Sequence, residues 1–283
     1  MTLTDDKIKE LDLTANKIRQ GIIEMLVAAN AGHSAGPLGM ADIFTALYFH
    51  VLKHDPKNPE WEERDRLILS NGHICPVRYV AMHYAGYDIT KEELLTFRKI
   101  GSRLEGHPSV KKIPALETTS GPLGEGVSVA AGMAIGYKMD QKPNHIWCLV
   151  SDAEQQEGMT WEGAMLAGKY KLNNLTVIID RNNIQIDGVT EDVMPIEPLR
   201  EKYESFGWHV IEVNGHDMRA IVDALEESKA IQEKPVFVIA NTIAGKGVSF
   251  MEDDYKWHGI PPDKKQAKEA LAELKKQEEE LRQ

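Results

Sequence analysis

Ile8, Leu11, Ile18, Ile22 and Met25 recur at the spacing of one helical face, which predicts an amphipathic helix over residues 5–30. The stretch GHSAGPLG, Gly32 to Gly39, breaks it. A second helix is expected over 41–52, then a polar, proline-containing loop over 53–64. RLILS (66–70) reads as a short strand ended by Gly72, with helix again over 74–85. Residues 98–122 have no period and many turn formers. An irregular connection of that length is usually functional or disordered.

From Gly124 the pattern becomes regular. A helix of small residues, GEGVSVAAGMAIGYKM, leads to the apolar run HIWCLV. Helix 157–170 leads to LTVIID, helix 197–206 to WHVIEV, and helix 217–231 to PVFVIA. Strands alternating with helices predict βαβ units: an α/β fold with a doubly wound parallel sheet flanked by helices. The chain reads as a single domain over 1–283, with a charged helical tail over 263–283 whose charges form a solvated face. No internal repeat or low-complexity segment appears.

Composition narrows the partners. With 42% apolar residues, 283 residues can bury a sizeable core. A net charge of -11 argues against nucleic acid, which needs a basic surface, but leaves room for a local anion site. No apolar run reaches the roughly 20 residues of a membrane helix, and the acidic start MTLTDDKIKELDL is unlike a signal peptide. Cys75 and Cys148 make no ligand spacing, which fits a reducing cytoplasm.

Asp152 follows one apolar run and Asn182 follows the next. In an open parallel sheet ligands bind beyond the carboxyl ends of the strands, so both side chains would meet at one edge. One carboxylate, one amide oxygen and the backbone carbonyl of Ile184 make a sparse hard-oxygen site. Mg²⁺ suits such a site when a phosphate completes its shell. The competing reading has Asp152 capping helix 157–170 and Asn182-Asn183 turning into a hairpin.

Of the ten histidines, five adjoin glycine: His33, His73, His107, His216 and His258. His216, in NGHDM, reads as a turn residue ahead of a helix capped by Asp217. The other four lie in irregular stretches, where an imidazole can exchange protons near neutral pH. SGPLGEG (120–126) opens a helix whose first amides could bind an anion. GKG (245–247) lacks the remainder of a P-loop.

Taken together, GHSAGPLGMAD, LSNGH, EGHP, SGPLGEG, DAEQQEG, DRNNIQIDG and KWHG resemble transketolase in kind, order and spacing across nearly the whole chain. The resemblance implies that Asp152, Asn182 and the Ile184 carbonyl hold Mg²⁺ (Ca²⁺ or Mn²⁺ able to substitute) on the diphosphate of thiamin diphosphate. It implies that Gly121, Pro122 and Leu123 seat the aminopyrimidine end, with Ala153 and Glu154 beside the cofactor. His33, His73, His107 and His258 become site histidines for cofactor, ketose hydroxyls and alkoxide, with His73 and His258 also touching the cofactor. Glu157 and Glu162 resemble acids near the cofactor, in a proton relay between sites; both also suit the first turns of a helix on electrostatic grounds.

Ser151 and Ala153 stand where the family's signature has glycines. Family enzymes run to more than twice this length and carry a pyrimidine-binding half with the activating glutamate. The resemblance therefore implies the diphosphate-binding N-terminal subunit of a split transketolase in the pentose phosphate pathway, paired with a C-terminal subunit in a two-plus-two heterotetramer. The expected reaction moves a two-carbon ketol group from a ketose phosphate to an aldose phosphate. Rival expectations are a subunit of a deoxyxylulose-phosphate synthase-like enzyme, a transketolase for an unusual sugar, and a degenerate subunit kept for assembly. Four site-like histidines favour sugar chemistry, and intact oxygen ligands weigh against degeneracy.

Overall fold

The computed structural model describes residues 3–283. Its strands are β1 (Arg66–Leu69), β2 (Ile146–Ser151), β3 (Leu175–Arg181), β4 (Ile184–Gln185), β5 (Gly188–Val189), β6 (His209–Asn214) and β7 (Val236–Asn241). Five of them form one parallel sheet in the order β1-β2-β3-β7-β6, while β4 and β5 make a small antiparallel hairpin.

The central strands are apolar runs because both faces are covered. Every residue of β2 is buried. Trp147 and Leu149 pack among the helices Asp5–Ala29, Cys75–Tyr84 and Met218–Ala230. Ile146, Cys148 and Val150 pack on the other side against Glu125–Met139, Gly158–Lys169 and Leu199–Ser205. The chain runs outward from β2 to β3 over the second face, continues to the edge strand β6, and returns to β7 over the first. Right-handed crossovers require that change of face when the direction of travel reverses. All five carboxyl ends consequently open on one edge.

Two expectations are corrected and a third is extended. The helix predicted over 41–52 is α-helical only to Ala46 and continues as a π-helical turn, Leu47–Val51. The GHSAGPLG break contains a short helix, Ala35–Gly39. The charged tail keeps its charges on a solvated face, as expected, and docks by the opposite one: Lys264–Arg282 starts with a capping box of Asp263 and Gln266 and buries Ala267, Ala270 and Leu274. Asn16 donates to the Leu274 carbonyl at 3.0 Å, tying the last helix to the first. Burial of Leu274 alone contributes about 2 kcal/mol.

Candidate cofactor site at the carboxyl edge

Asp152 lies just past β2, with its side chain wholly buried. One oxygen, Oδ1, accepts from the Ala153 amide at 2.6 Å. The other, Oδ2, accepts from the Asn183 amide at 2.6 Å, Arg181 Nη1 at 3.1 Å and Thr190 Oγ1 at 3.1 Å. Burial pushes its pKa up to about 6, although Arg181 and these donors pull the other way. Asp152 caps the short 3₁₀ turn Ala153–Gln156, and helix Gly158–Lys169 starts without it. The hairpin reading of the next segment is borne out: Asn183 takes a left-handed φ of 59° and β4–β5 follow.

Asn182 faces a residue that the sequence reading passed over. Its Nδ2 donates to Asp180 Oδ2 at 2.7 Å, and Thr242 donates to Asp180 Oδ1 at 2.5 Å from the neighbouring end of β7. When ionised, Asp180 can only accept, which turns the Asn182 amide nitrogen toward it. The Asn182 oxygen is turned away and accepts from the Ile184 amide at 3.1 Å. Asp180 is itself fully buried, which drives its pKa up to about 7, with the charge on Asp152 adding to the rise. The signal available in the sequence was its place two residues before Asn182, on the same side of a strand of period two.

A cleft of about 270 Å³ opens here, and its lining includes Gly36, His73, Leu123, Asp180, Asn182 and His258 as well as Ser151, Ala153, Glu157 and Ile184. Gly36 keeps it open: a β-carbon there would lie 2.8 Å from Ile74 Cγ2 and 3.8 Å from Asp180 Oδ2.

The four histidines come together from four separate stretches. Ring centroids of His33 and His73 are 4.8 Å apart, His73 and His258 5.3 Å, and His33 and His258 5.4 Å. His107 sits beside Gly72, where an added β-carbon would meet its Cδ2 at 3.3 Å. Burial, with repulsion from His258, Arg98 and His107, lowers His33 to about 4. Burial lowers His73 far below the usual range, and lowers His107 and His258 as well. All four shifts favour the neutral imidazole. His33 Nδ1, both amide atoms of Asn71 and Ser120 Oγ are buried without a partner, an unspent set of polar groups around this cluster.

The remaining predicted residues divide. Leu123 lines the cleft, whereas Gly121 and Pro122 line a narrow crevice beside it. Glu154, expected beside the cofactor, has its carboxylate spent inside the protein. It accepts from Ser70 Oγ, from the Gly124 amide at 2.6 Å and from the Ser151 amide at 3.1 Å. Glu154 thereby takes the Gly124 amide at the start of helix Glu125–Met139, where an external anion was expected. Ser70 Oγ takes the Gly126 amide at 3.0 Å. Glu157 is exposed at the head of helix Gly158–Lys169, and Glu162 is exposed on that helix.

His216 is more than a turn residue. Its Nε2 accepts from the Ile243 amide at 2.7 Å, so Nδ1 carries the proton toward Asp42 Oδ2, 2.7 Å away. Arg19 pairs with that carboxylate at 2.5 Å. Asp217 caps the following helix as expected, accepting from the Ala220 amide at 3.0 Å.

The oxygens of Asp152, Asn182 and Ile184 are a donor set suited to Mg²⁺ shared with phosphate oxygens. No cluster of three or more His, Cys, Asp or Glu able to hold a metal occurs among the described residues. Ala153 is not in the left-handed region, so alanine brings no backbone strain there.

A family described as transketolase, thiamine diphosphate binding domain, matches residues 11–279. The chain is 41% identical over 268 residues to the 6-deoxy-6-sulfo-D-fructose transketolase subunit SqwG of Clostridium sp. (strain MSTE9), covering 95% of this chain and 97% of that protein. It is 39% identical over 275 residues to an apulose-4-phosphate transketolase subunit of Phocaeicola vulgatus, covering 97% of each. The crystal structure of transketolase from Campylobacter jejuni superposes with a TM-score of 0.90 at 38% identity, over 98% of this chain but 43% of that one. No helix among the described residues is long and apolar enough to cross a membrane. The chain belongs to the family of transketolase thiamine diphosphate-binding domains.

Proposed function

We propose that this chain is the N-terminal subunit of a split transketolase, moving a two-carbon ketol group from a ketose phosphate to an aldose phosphate together with a C-terminal subunit. One observation supports the reading: the chain covers 97% of relatives named as transketolase subunits, yet spans 43% of the transketolase chain from Campylobacter jejuni. When bound, thiamin diphosphate supplies the nucleophilic carbon that exchange of a C–C bond requires. Asp152, Asn182 and the Ile184 carbonyl hold Mg²⁺ on the diphosphate. Gly121, Pro122 and Leu123 seat the aminopyrimidine, and Ala153 shapes the turn beneath it. The neutral imidazoles of His33, His73, His107 and His258 bind sugar hydroxyls and hold or release a proton at the reacting oxygen. Glu157 and Glu162, both exposed, face the partner. The assembly is a cytoplasmic two-plus-two heterotetramer.

The test is reconstitution. The purified chain with saturating Mg²⁺ and thiamin diphosphate should not transfer from xylulose 5-phosphate to ribose 5-phosphate, and adding the C-terminal subunit should start the reaction. Robust transfer by the chain alone overturns the split reading.

A second reading concerns the sugar. The relatives at 39–41% identity are named for 6-deoxy-6-sulfo-D-fructose and for apulose 4-phosphate. An unusual ketose is therefore a real alternative donor. A donor panel run on the reconstituted enzyme separates the two by kcat/KM.

A further inference from the structure

Arg181 ends β3 with its side chain only 11% exposed, and its guanidinium meets three carboxylates from two parts of the chain. Nη1 donates to Asp152 Oδ2 at 3.1 Å and to Asn183 Oδ1 at 3.2 Å. Nη2 donates to Glu191 Oε1 at 2.7 Å and to Glu197 Oε1 at 3.2 Å. Glu191 and Glu197 lie on the outer stretch beyond the hairpin, whereas Asp152 is buried.

Three of the four donors on Asp152 come from residues 181–190, the segment that also carries Asn182 and Ile184. One carboxylate therefore both anchors the wall of the cleft and lies in the expected cation shell. All three of those donors sit on Oδ2, while Oδ1 has the Ala153 amide alone and keeps a lone pair for a further partner. A buried carboxylate left without a compensating charge is costly, and Arg181 is the cation that compensates this one.

We propose that Arg181 is the built-in counter-cation of Asp152. By remaining on Oδ2 it competes with a divalent ion for the charge of Asp152 and so weakens the affinity of an ion taken up through Oδ1. Glu191 and Glu197 moderate that effect by drawing the guanidinium's charge outward. The inference rests on the metal-ligand reading of Asp152. Arg181 is a positioning residue and touches no reacting atom.

The experiment is a Mn²⁺ titration of the full chain with thiamin diphosphate present, reading free Mn²⁺ by electron paramagnetic resonance. Asp152→Asn tests the underlying reading: if bound Mn²⁺ persists unchanged, the ligand assignment fails, whatever Arg181 does. Arg181→Gln tests the proposal. Removing the positive charge 3.1 Å from Asp152 Oδ2 should tighten Mn²⁺ on the order of tenfold. Arg181→Lys, which keeps the charge, should stay within about threefold of the native chain. Glu191→Gln should weaken binding, because more of the guanidinium's charge then falls on Asp152. A purely structural arginine predicts weaker binding for Arg181→Gln, through a loosened wall, so unchanged or weaker binding in a folded Arg181→Gln overturns the proposal. If that variant does not fold, unchanged affinity in Glu191→Gln overturns it instead.

Discussion

The imidazoles of His33 and His73 lie 4.8 Å apart at an interplanar angle of 49°, although their stretches meet only in the folded chain. Such close packing is tolerable because both are uncharged. His33 is held near 4, mainly by burial, against an ordinary value of 6.5. The unfolded chain therefore binds more protons than the folded one between those values. Stability from this site is complete above pH 6.5 and is lost as pH falls toward 4. Urea unfolding of native and His33→Gln chains should give a difference curve that is flat above pH 7 and narrows by a few kcal/mol by pH 4. A difference independent of pH rules out neutral burial of His33.

Asp180→Asn should turn the Asn182 amide. An asparagine at 180 that still accepts from Thr242 presents its own amide hydrogens to Asn182, which must then offer its oxygen. That oxygen is lost to the cleft, and metal-dependent cofactor binding should weaken on the order of tenfold in titration calorimetry. The same change should stabilise the apo chain relative to native above pH 7. A carboxylate raised from 3.8 to about 7 costs folding free energy as pH climbs through that window, and an amide does not. Unchanged cofactor affinity would remove Asp180 from the orienting role.

Glu154→Ala should lower stability by about 3 kcal/mol, by leaving the amides of Gly124 and Ser151 buried and unpaired where β1, β2 and the helix Glu125–Met139 converge. Chemical unfolding measures this directly. A loss below about 1 kcal/mol would mean that water replaces the carboxylate.

His216→Leu should cost about 2 kcal/mol, since it breaks the tie between Asp42 and the Ile243 amide. His216→Gln can donate to one and accept from the other, and should recover at least half of the melting temperature lost. Equal melting temperatures for the two variants would return His216 to the status of a turn residue.

Ala153→Gly should leave transfer by the reconstituted enzyme within a few-fold. It should also lower stability by about 0.5–1 kcal/mol, because glycine adds unfolded-state freedom to a position already at ease with alanine. A gain in turnover above about a hundredfold, roughly 2.7 kcal/mol in the barrier, would mark the chain as a degenerate copy.

Sheet and helices were legible in the sequence because period and punctuation are local. IWCLV, LTVII and VFVIA announce strands buried on both faces, and each expected crossover helix formed within about two residues of its predicted ends. The placement of Asp152 and Asn182 at one edge followed from parallel strands alone. What each polar side chain touches was not legible, because those partners are far apart in the chain. Glu154 meets Ser70, 84 residues away, and His216 meets Asp42, 174 residues away. Arg181 and Asp180 drew no notice beside Asn182, because a charge at a strand end looks like surface until neighbouring strands and the hairpin enclose it. The sequence by itself determined the order of elements and the sheet edge on which the chemistry-bearing residues gather. Only the tertiary structure decided which carboxylates are spent on the protein's own amides and which face the cleft, since hydrogen-bond partnership is set by distances of about 3 Å that no residue spacing encodes.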